Sequence, residues 1–385
     1  MKYKKRQINL DSPLTFLKYF KNEESFSFYN PLKKEFILGA KRLKALSREE
    51  SLRDYPYTFS SMTFFNSIKD EKWTGFGNEN IVFEYYLIEK EGKQTLYYLK
   101  DFVEIENIKV EICGHSFRCE MDDYNSWEHL FSAAHNAILN KELNKVVISR
   151  EVKIQCNELI NTESILQNLL KQNENSFIFS YCKDGKIFLG ATPEILIQKE
   201  KNNVLSYALA GTVLRSDKED EYQKKRLLLI DAKNRHEHQI VIDSIVNSMR
   251  NFTDELVVDE TKILELKNLY HLQTCIHGKN TSKTLLQLVK LLHPTPALGG
   301  DPVNKALELI KRYEKHERGL YAAPIGIIDK NGDGIFVVGI RSALIEKNIV
   351  YAYSGCGIVD KSTCESEYIE TTNKLKTIIE SLSDK

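Results

Sequence analysis

The feature that most constrains this chain is the unbroken alternation, over residues 125–385, of short β-branched runs with amphipathic helical patterns. Many of the runs stop at glycine, and no linker or low-complexity stretch separates them. Residues 145–152 (KVVISREV) read as a strand. Residues 176–181 and 186–189 form a hairpin around Asp184-Gly185, and ATPEILIQ resumes a strand through Glu194. Residues 205–209 run into Ala210-Gly211-Thr212 as another strand ending in glycine. Further strands are expected at 264–273, 321–328 and 335–344. Helices are expected at 127–143, 162–171, 218–250, 282–292 and 303–313. Such a pattern predicts one interlocked α+β unit with several antiparallel strands. Residues 1–120 alternate a short helix (14–21) with strands at 36–38, 81–89 and 95–99, the last two joined at Glu91-Gly92-Lys93. They carry no chemical motif and read as scaffold for a catalytic region over 121–385.

The C-terminal stretch 351–375 adds a strand-like run meeting Gly355 and Gly357, a polar turn, and a helix. Glu367, Glu370 and Lys374 fall at i, i+3 and i+7 on one face of that helix. Tyr368, Leu375, Ile378, Ile379 and Leu382 form a separate apolar stripe suited to a core. The charged face is either a solvated surface with an internal salt bridge or a wall able to hold a metal and an anionic ligand.

Charge balance excludes some classes. With 54 basic and 54 acidic residues the formal net charge is zero, which argues against nucleic-acid or membrane binding through a bulk positive field. The seven cysteines are scattered without a CxxC pair, the pattern of reduced thiols rather than disulfides or a zinc site. No apolar run is long enough to span a bilayer, and the basic N-terminal residues precede no apolar segment of a secretory signal. A soluble cytoplasmic protein is expected.

Several motifs fail on inspection. Asp329-x-Asn331-x-Asp333-Gly334 imitates half a calcium loop, but Ile340 stands where the bidentate glutamate belongs, so a hairpin turn is expected. Gly355-x-Gly357 is followed by Asp360, not the third glycine of a dinucleotide fingerprint. His236 and His238 project from different sides of a helix and make no zinc dyad.

Other polar residues stand at strand ends, glycine turns and helix faces. Lys145 opens an apolar strand, either as a snorkelling surface lysine or as a general base beside a buried cavity. Glu194 follows Pro193 in an apolar run, either in a salt bridge or as a desolvated general acid. Glu237, Glu367 and Glu370 offer three carboxylates from two helices; facing one pocket, they would require a cation, with magnesium the default for an all-oxygen site. Arg341 and Lys374 would neutralise substrate carboxylates, and Gly211, Gly355 and Gly357 would admit an anion close to backbone N–H groups.

Nine motifs then occur in a fixed order: KVVISR (145–150), GATPEIL (190–196), AGT (210–212), KNRHEH (233–238), HLQT (271–274), HPTPALGG (293–300), RGLYAAPIG (318–326), IRSA (340–343) and GCGIV…ESEYIETTNKL (355–375). Together they resemble the chorismate-utilising enzymes, which comprise isochorismate, salicylate, anthranilate and aminodeoxychorismate synthases. The resemblance covers residues 125–380. It implies an α/β fold of the α+β type, a single large domain of layered, mostly antiparallel sheets with surrounding helices.

The resemblance also implies residue roles. Glu237 and Glu370 match magnesium ligands, and Glu367 matches a carboxylate that meets the metal directly or through water. Asn234 takes a place that is acidic in some members. Arg341 and Tyr321 match residues holding a substrate carboxylate; Lys374 and the Gly355/Gly357 turn match groups around the metal-bound carboxylate. Gly211, Thr212 and His271 match site-lining positions. Lys145 matches the general base of members that add water to C2 of chorismate, and the ammonia-using members lack it. Glu194 matches the acid that protonates the departing C4 hydroxyl.

HPTPALGG resembles isochorismate synthases more than salicylate synthases, which differ around Pro296 and Ala297. The implied activity is therefore magnesium-dependent isochorismate synthesis, with salicylate synthase as the alternative and an anthranilate- or aminodeoxychorismate-forming component third. A monomer without an obligatory protein partner is expected, and the product would feed menaquinone or siderophore biosynthesis. Ala323, Cys356 and the missing proline in STCESE depart from common family residues and bear on substrate fit rather than on a catalytic group.

Overall fold

The computed structural model describes residues 2–47, 52–120, 124–215, 221–280 and 283–383. Antiparallel ladders connect its strands into one network with two wings that share the long strand Glu79–Lys90. The first wing runs from Lys145–Cys156 through Ile349–Ile358, Ser342–Glu346, Lys186–Thr192, Phe177–Lys183 and Ser25–Asn30 to Glu35–Ala45. The second runs from Tyr57–Ser61 through Pro324–Asp329, Gly334–Val338, Ile195–Glu200 and Asn203–Leu214 to Leu269–Asn280. Strands from the first hundred residues thus pair directly with strands from the C-terminal half. The mixed α/β, antiparallel architecture expected from the sequence is the one formed.

Strand periodicity decides what faces the core. In Lys145–Cys156, Val146 and Ile148 enter the apolar core while Lys145 and Val147 turn to a cavity on the opposite face. The main core contains side chains from both wings, including Phe26, Phe59, Phe83, Phe188 and Val337, with Phe26 and Phe59 stacked at 4.8 Å. A second apolar cluster joins first-wing strands to the helices Leu14–Tyr19, Thr162–Gln172 and Cys364–Ser381 through Phe16, Leu166, Leu169, Leu375 and Ile378. The expected apolar stripe of the last helix serves that cluster through Leu375, Ile378, Ile379 and Leu382, while its first member, Tyr368, packs against the main core. The helix start is fixed by Thr363, whose side chain accepts the Ser366 N–H.

Several expected elements are cut shorter, each for a local reason. The long helix expected over 218–250 is two helices, Glu221–Ile230 and Ala232–Met249; its expected start at Lys218 lies outside the described residues. Asp231 separates them: its backbone is extended and its side chain accepts the Asn234 N–H, so it caps the second helix. Glu194 is not within a strand but in the break between Lys186–Thr192 and Ile195–Glu200. The run 264–273 divides into Lys262–Glu265 and Leu269–Asn280. The run 335–344 divides at residues 339–341, so Arg341 lies in a turn with φ +51° rather than on a strand. Tyr321 precedes its strand, which begins at Pro324. The supposed Gly355/Gly357 turn is the end of the strand Ile349–Ile358, where both glycines pair with the Lys145 strand.

The Asp329–Gly334 segment is a self-closed hairpin turn: Asp329 Oδ1 accepts the N–H groups of Asn331 at 2.7 Å and Asp333 at 3.0 Å. Among the described residues no helix is long and apolar enough to cross a membrane. Asp231→Ala is expected to lower stability by about 1 kcal/mol through loss of the cap, read as a lower urea midpoint for an otherwise unchanged fold.

Candidate active site

One cavity, of about 650 Å³ counting its opening to solvent, gathers side chains from both wings and two helices. Lys145, Gly355 and Gly357 come from two neighbouring strands, and Glu194 from the break between two others. Gly211, Thr212 and His271 come from the paired strands Asn203–Leu214 and Leu269–Asn280; Tyr321 and Arg341 come from turns. Glu237 enters from Ala232–Met249, and Glu370 and Lys374 from Cys364–Ser381. Glu367, expected beside them, does not line the cavity; it is buried next to it and paired with Lys233.

The floor is an ion pair. Lys145, 1% exposed, places Nζ 3.0 Å from Glu237 Oε1. Burial works against the Glu237 charge, but Lys145, with Lys374 and Lys233 beyond it, outweighs this and holds the carboxyl below its usual range. Gly357 makes the pair possible: a Cβ there would sit 2.3 Å from Glu237 Oε1 and 2.7 Å from Lys145 Cε. Lys145 is thus a buried cavity residue and not a snorkelling surface lysine.

Glu194 experiences burial with the opposite result. It is 4% exposed, and burial pushes its pKa up to about 8, although Lys145, Lys374 and Arg341 pull it down. At neutral pH it is a proton donor facing the same space as the lysine.

A positive, hydrogen-bond-rich corner lies on another wall. Arg341 Nη2 donates to His271 Nε2 at 2.6 Å, which leaves the histidine proton on Nδ1, within 3.0 Å of Thr212 Oγ1. Burial, with Arg341 and Lys374 nearby, holds His271 well below its usual pKa and therefore neutral. Burial also lowers Arg341, to about 10, against the pull of Glu370, Tyr321 and Glu194, so the guanidinium stays charged at neutral pH. The Thr212 N–H donates to Asn234 Oδ1 at 3.0 Å, at a β-bulge where Gly211 adopts φ +78°. Tyr321 stacks on Tyr353 with ring centroids 5.3 Å apart, which fixes the phenol at the wall. The arrangement suits a planar carboxylate.

The acidic side comprises Glu237, Glu370 and, behind them, Glu367. Lys374 Nζ donates to Glu370 Oε1 at 2.6 Å and to the Gly355 carbonyl at 3.0 Å. Burial, then the Glu370 charge, pushes Glu367 up to about 7 against the pull of Lys233. Glu237 and Glu370 open into the cavity as oxygen-only donors, each with a lysine against it. A hard divalent cation fits that donor set.

Sequence reasoning left out Lys233, Tyr353 and the apolar wall formed by Val147, Leu209, Ala297 and Leu298. Lys233 was legible in one respect, since it stands one helical turn before Glu237 in KNRHEH. Val147 follows from strand alternation with Lys145. Nothing local marks Tyr353, whose place depends on stacking with Tyr321.

A pH signature follows from Glu194. Its folded pKa lies above the 4.5 of a free carboxyl, so the folded protein binds the extra proton between the two values. The associated stability is fully present below the lower value and lost as pH rises through the upper one, an amount on the order of a few kcal/mol. In metal-free protein, the melting temperature of wild type relative to Glu194→Gln should fall as pH is raised from about 5 to about 9. A constant difference across that range would exclude the raised pKa.

Comparison with known proteins bears directly on this cavity. Residues 107–383 match the family described as chorismate binding enzyme. The isochorismate synthase MenF of Bacillus subtilis is 40% identical over 263 residues, 68% of this chain and 56% of that protein. The salicylate biosynthesis isochorismate synthase of Pseudomonas aeruginosa is 36% identical over 67% of this chain and 54% of its own length. The aligned part thus spans little more than half of either relative. The menaquinone-specific isochorismate synthase MenF of Escherichia coli has the same fold, with a TM-score of 0.84 over 99% of this chain and 94% of that one, at 23% identity. The cavity residues Lys145, Glu194, Glu237, Arg341 and Glu370 lie within the matched segment, and the chain belongs to the chorismate-binding enzyme family.

Proposed function

We propose that the protein is a magnesium-dependent isochorismate synthase. The observation that carries this reading is the buried Lys145 facing the same cavity as the buried, protonated Glu194, next to an acidic wall. Membership of the family supplies the substrate class, and the named relatives supply the type of product.

In this mechanism Lys145, once its ammonium proton has passed to solvent, accepts a proton from water as the oxygen bonds to C2 of chorismate. The ring double bond shifts, and the C4–O bond breaks. Glu194 gives its proton to the departing hydroxyl, which leaves as water. Atoms and protons balance: one water enters, one leaves, and proton exchange returns Lys145 and Glu194 to their starting states. Base and acid at opposite ends of one allylic system fit this reaction. Arg341, oriented by His271, and Tyr321 would hold a substrate carboxylate; Lys374 would face the other. Glu237 and Glu370, with Glu367 behind them, would hold magnesium, which when bound neutralises and orients the substrate carboxylate.

Lys145, which must give up its proton to act as base, is tied through its ion pair to Glu237, one of the residues that would hold the metal. The protein is further proposed to be a cytoplasmic monomer, and residues 1–120 to be scaffold for the catalytic region.

Purified protein incubated with chorismate and Mg²⁺ should yield isochorismate by chromatography. Salicylate and pyruvate as main products would shift the assignment to salicylate synthase, and anthranilate formed with ammonia would overturn the Lys145 argument. Lys145→Ala and Glu194→Gln should each lower turnover by roughly 10²- to 10⁴-fold while chorismate still binds. Gly357→Ala should retain the fold, because its added methyl meets flexible side-chain ends, and should lose on the order of 10²-fold in turnover by displacing the Lys145–Glu237 pair.

A further inference from the structure

Each carboxylate of the acidic set has its own lysine: Glu237 pairs with Lys145, Glu370 with Lys374 and Glu367 with Lys233. The first two lysines line the cavity, where substrate would meet them. Lys233 does not, and neither does Glu367. Their bond is nonetheless well protected, with the Glu367 side chain 2% exposed and that of Lys233 25% exposed.

The position of this bond is informative. Lys233 lies in the first turn of Ala232–Met249, one turn before Glu237, and Glu367 lies in the first turn of Cys364–Ser381, just before Glu370. The pair therefore bridges the two helices that present carboxylates to the cavity. It puts one positive charge against the carboxylates from outside the substrate space, where a substrate group does not displace it.

We propose that Lys233 is a built-in counter-ion that sets the cation affinity of the acidic wall, so that a divalent cation loads against the charge of this lysine. The inference rests on the reading that Glu237, Glu367 and Glu370 hold magnesium, and it assigns Lys233 a role that contact with substrate cannot supply. In the metal-free protein the lysine limits repulsion among buried carboxylates. When a dication arrives, the same charge opposes it, and Glu367 must share its oxygens between lysine and metal. The site is consequently stable when empty and binds its cation reversibly, with Lys233 fixing the balance.

Lys233→Met removes the charge at nearly constant length, and Lys233→Arg retains it. Mg²⁺ titration calorimetry on the full chain, without substrate, is the direct test, paired with melting curves. Magnesium is the proper probe because a hard cation discriminates against Asp259, Cys275 and His277, whose potential ligand atoms lie within 4.8 Å of one another at another place. Lys233→Met is expected to bind Mg²⁺ roughly tenfold more tightly, the effect of about 1.4 kcal/mol. It should melt lower than wild type without metal and gain more on Mg²⁺ addition, while Lys233→Arg follows wild type. Lys233→Gln, a good helix former in a first turn, is the second variant should Lys233→Met fail to fold, and the same tightening is expected of it.

Unchanged or weaker Mg²⁺ binding in the folded, charge-free variants would overturn the inference and leave the magnesium reading intact. Absence of Mg²⁺ binding by wild type would overturn both.

Discussion

The Lys145–Glu237 ion pair is the interaction on which the cavity is built. Taking two charges out of water costs several kcal/mol per ion, and a buried pair persists only where the surrounding geometry is right. Here a strand directs Lys145 away from the core, and a helix capped at Asp231 brings in Glu237. Gly357, on the neighbouring strand, leaves the space the pair occupies. The two strands pair along ten residues, from Val146 opposite Ile358 to Gln155 opposite Ile349, which fixes Lys145 and Gly357 relative to each other. Each of these supports is structural, and their convergence gives the charges their chemistry.

Burial then produces opposite states in neighbouring carboxyls. Glu194 has no hydrogen-bonded cation among the described residues and is driven toward the protonated form, up to about 8. Glu237, with an ammonium at 3.0 Å, is held ionised. The same low-dielectric enclosure thus leaves one glutamate protonated and another ionised. The break in the strand after Thr192 is what puts Glu194 on the cavity wall without a partner lysine; within a regular strand its direction would be fixed by alternation.

Much of this was legible in the sequence, although unevenly. Lys145 at the head of an apolar strand was open to two readings, a surface lysine or a buried base, and its burial decides for the second; the ordered motifs named many of the polar wall residues. Where an apolar run was continuous, the breaks were invisible: Arg341 and Glu194 lie in interruptions that depend on how strands from both wings register with one another. Asp231 was a readable cap hidden inside a helical pattern. The Gly355/Gly357 segment looked like a turn because glycine marks turns, whereas Gly357 here leaves space for Glu237 and Lys145, and Gly355 for the Tyr321 hydroxyl and the neighbouring strand. Glu367 shares a helical face with Glu370 in sequence but sits behind the wall, because Lys233 from another helix claims it. No local pattern encodes that pairing.

The central claim is that this cavity adds water to C2 of its substrate with Lys145 as base. Turnover of chorismate in ¹⁸O-labelled water tests it most directly. The account predicts isochorismate with the heavy oxygen in its C2 hydroxyl. Unlabelled isochorismate, formed by migration of the original hydroxyl, would contradict it.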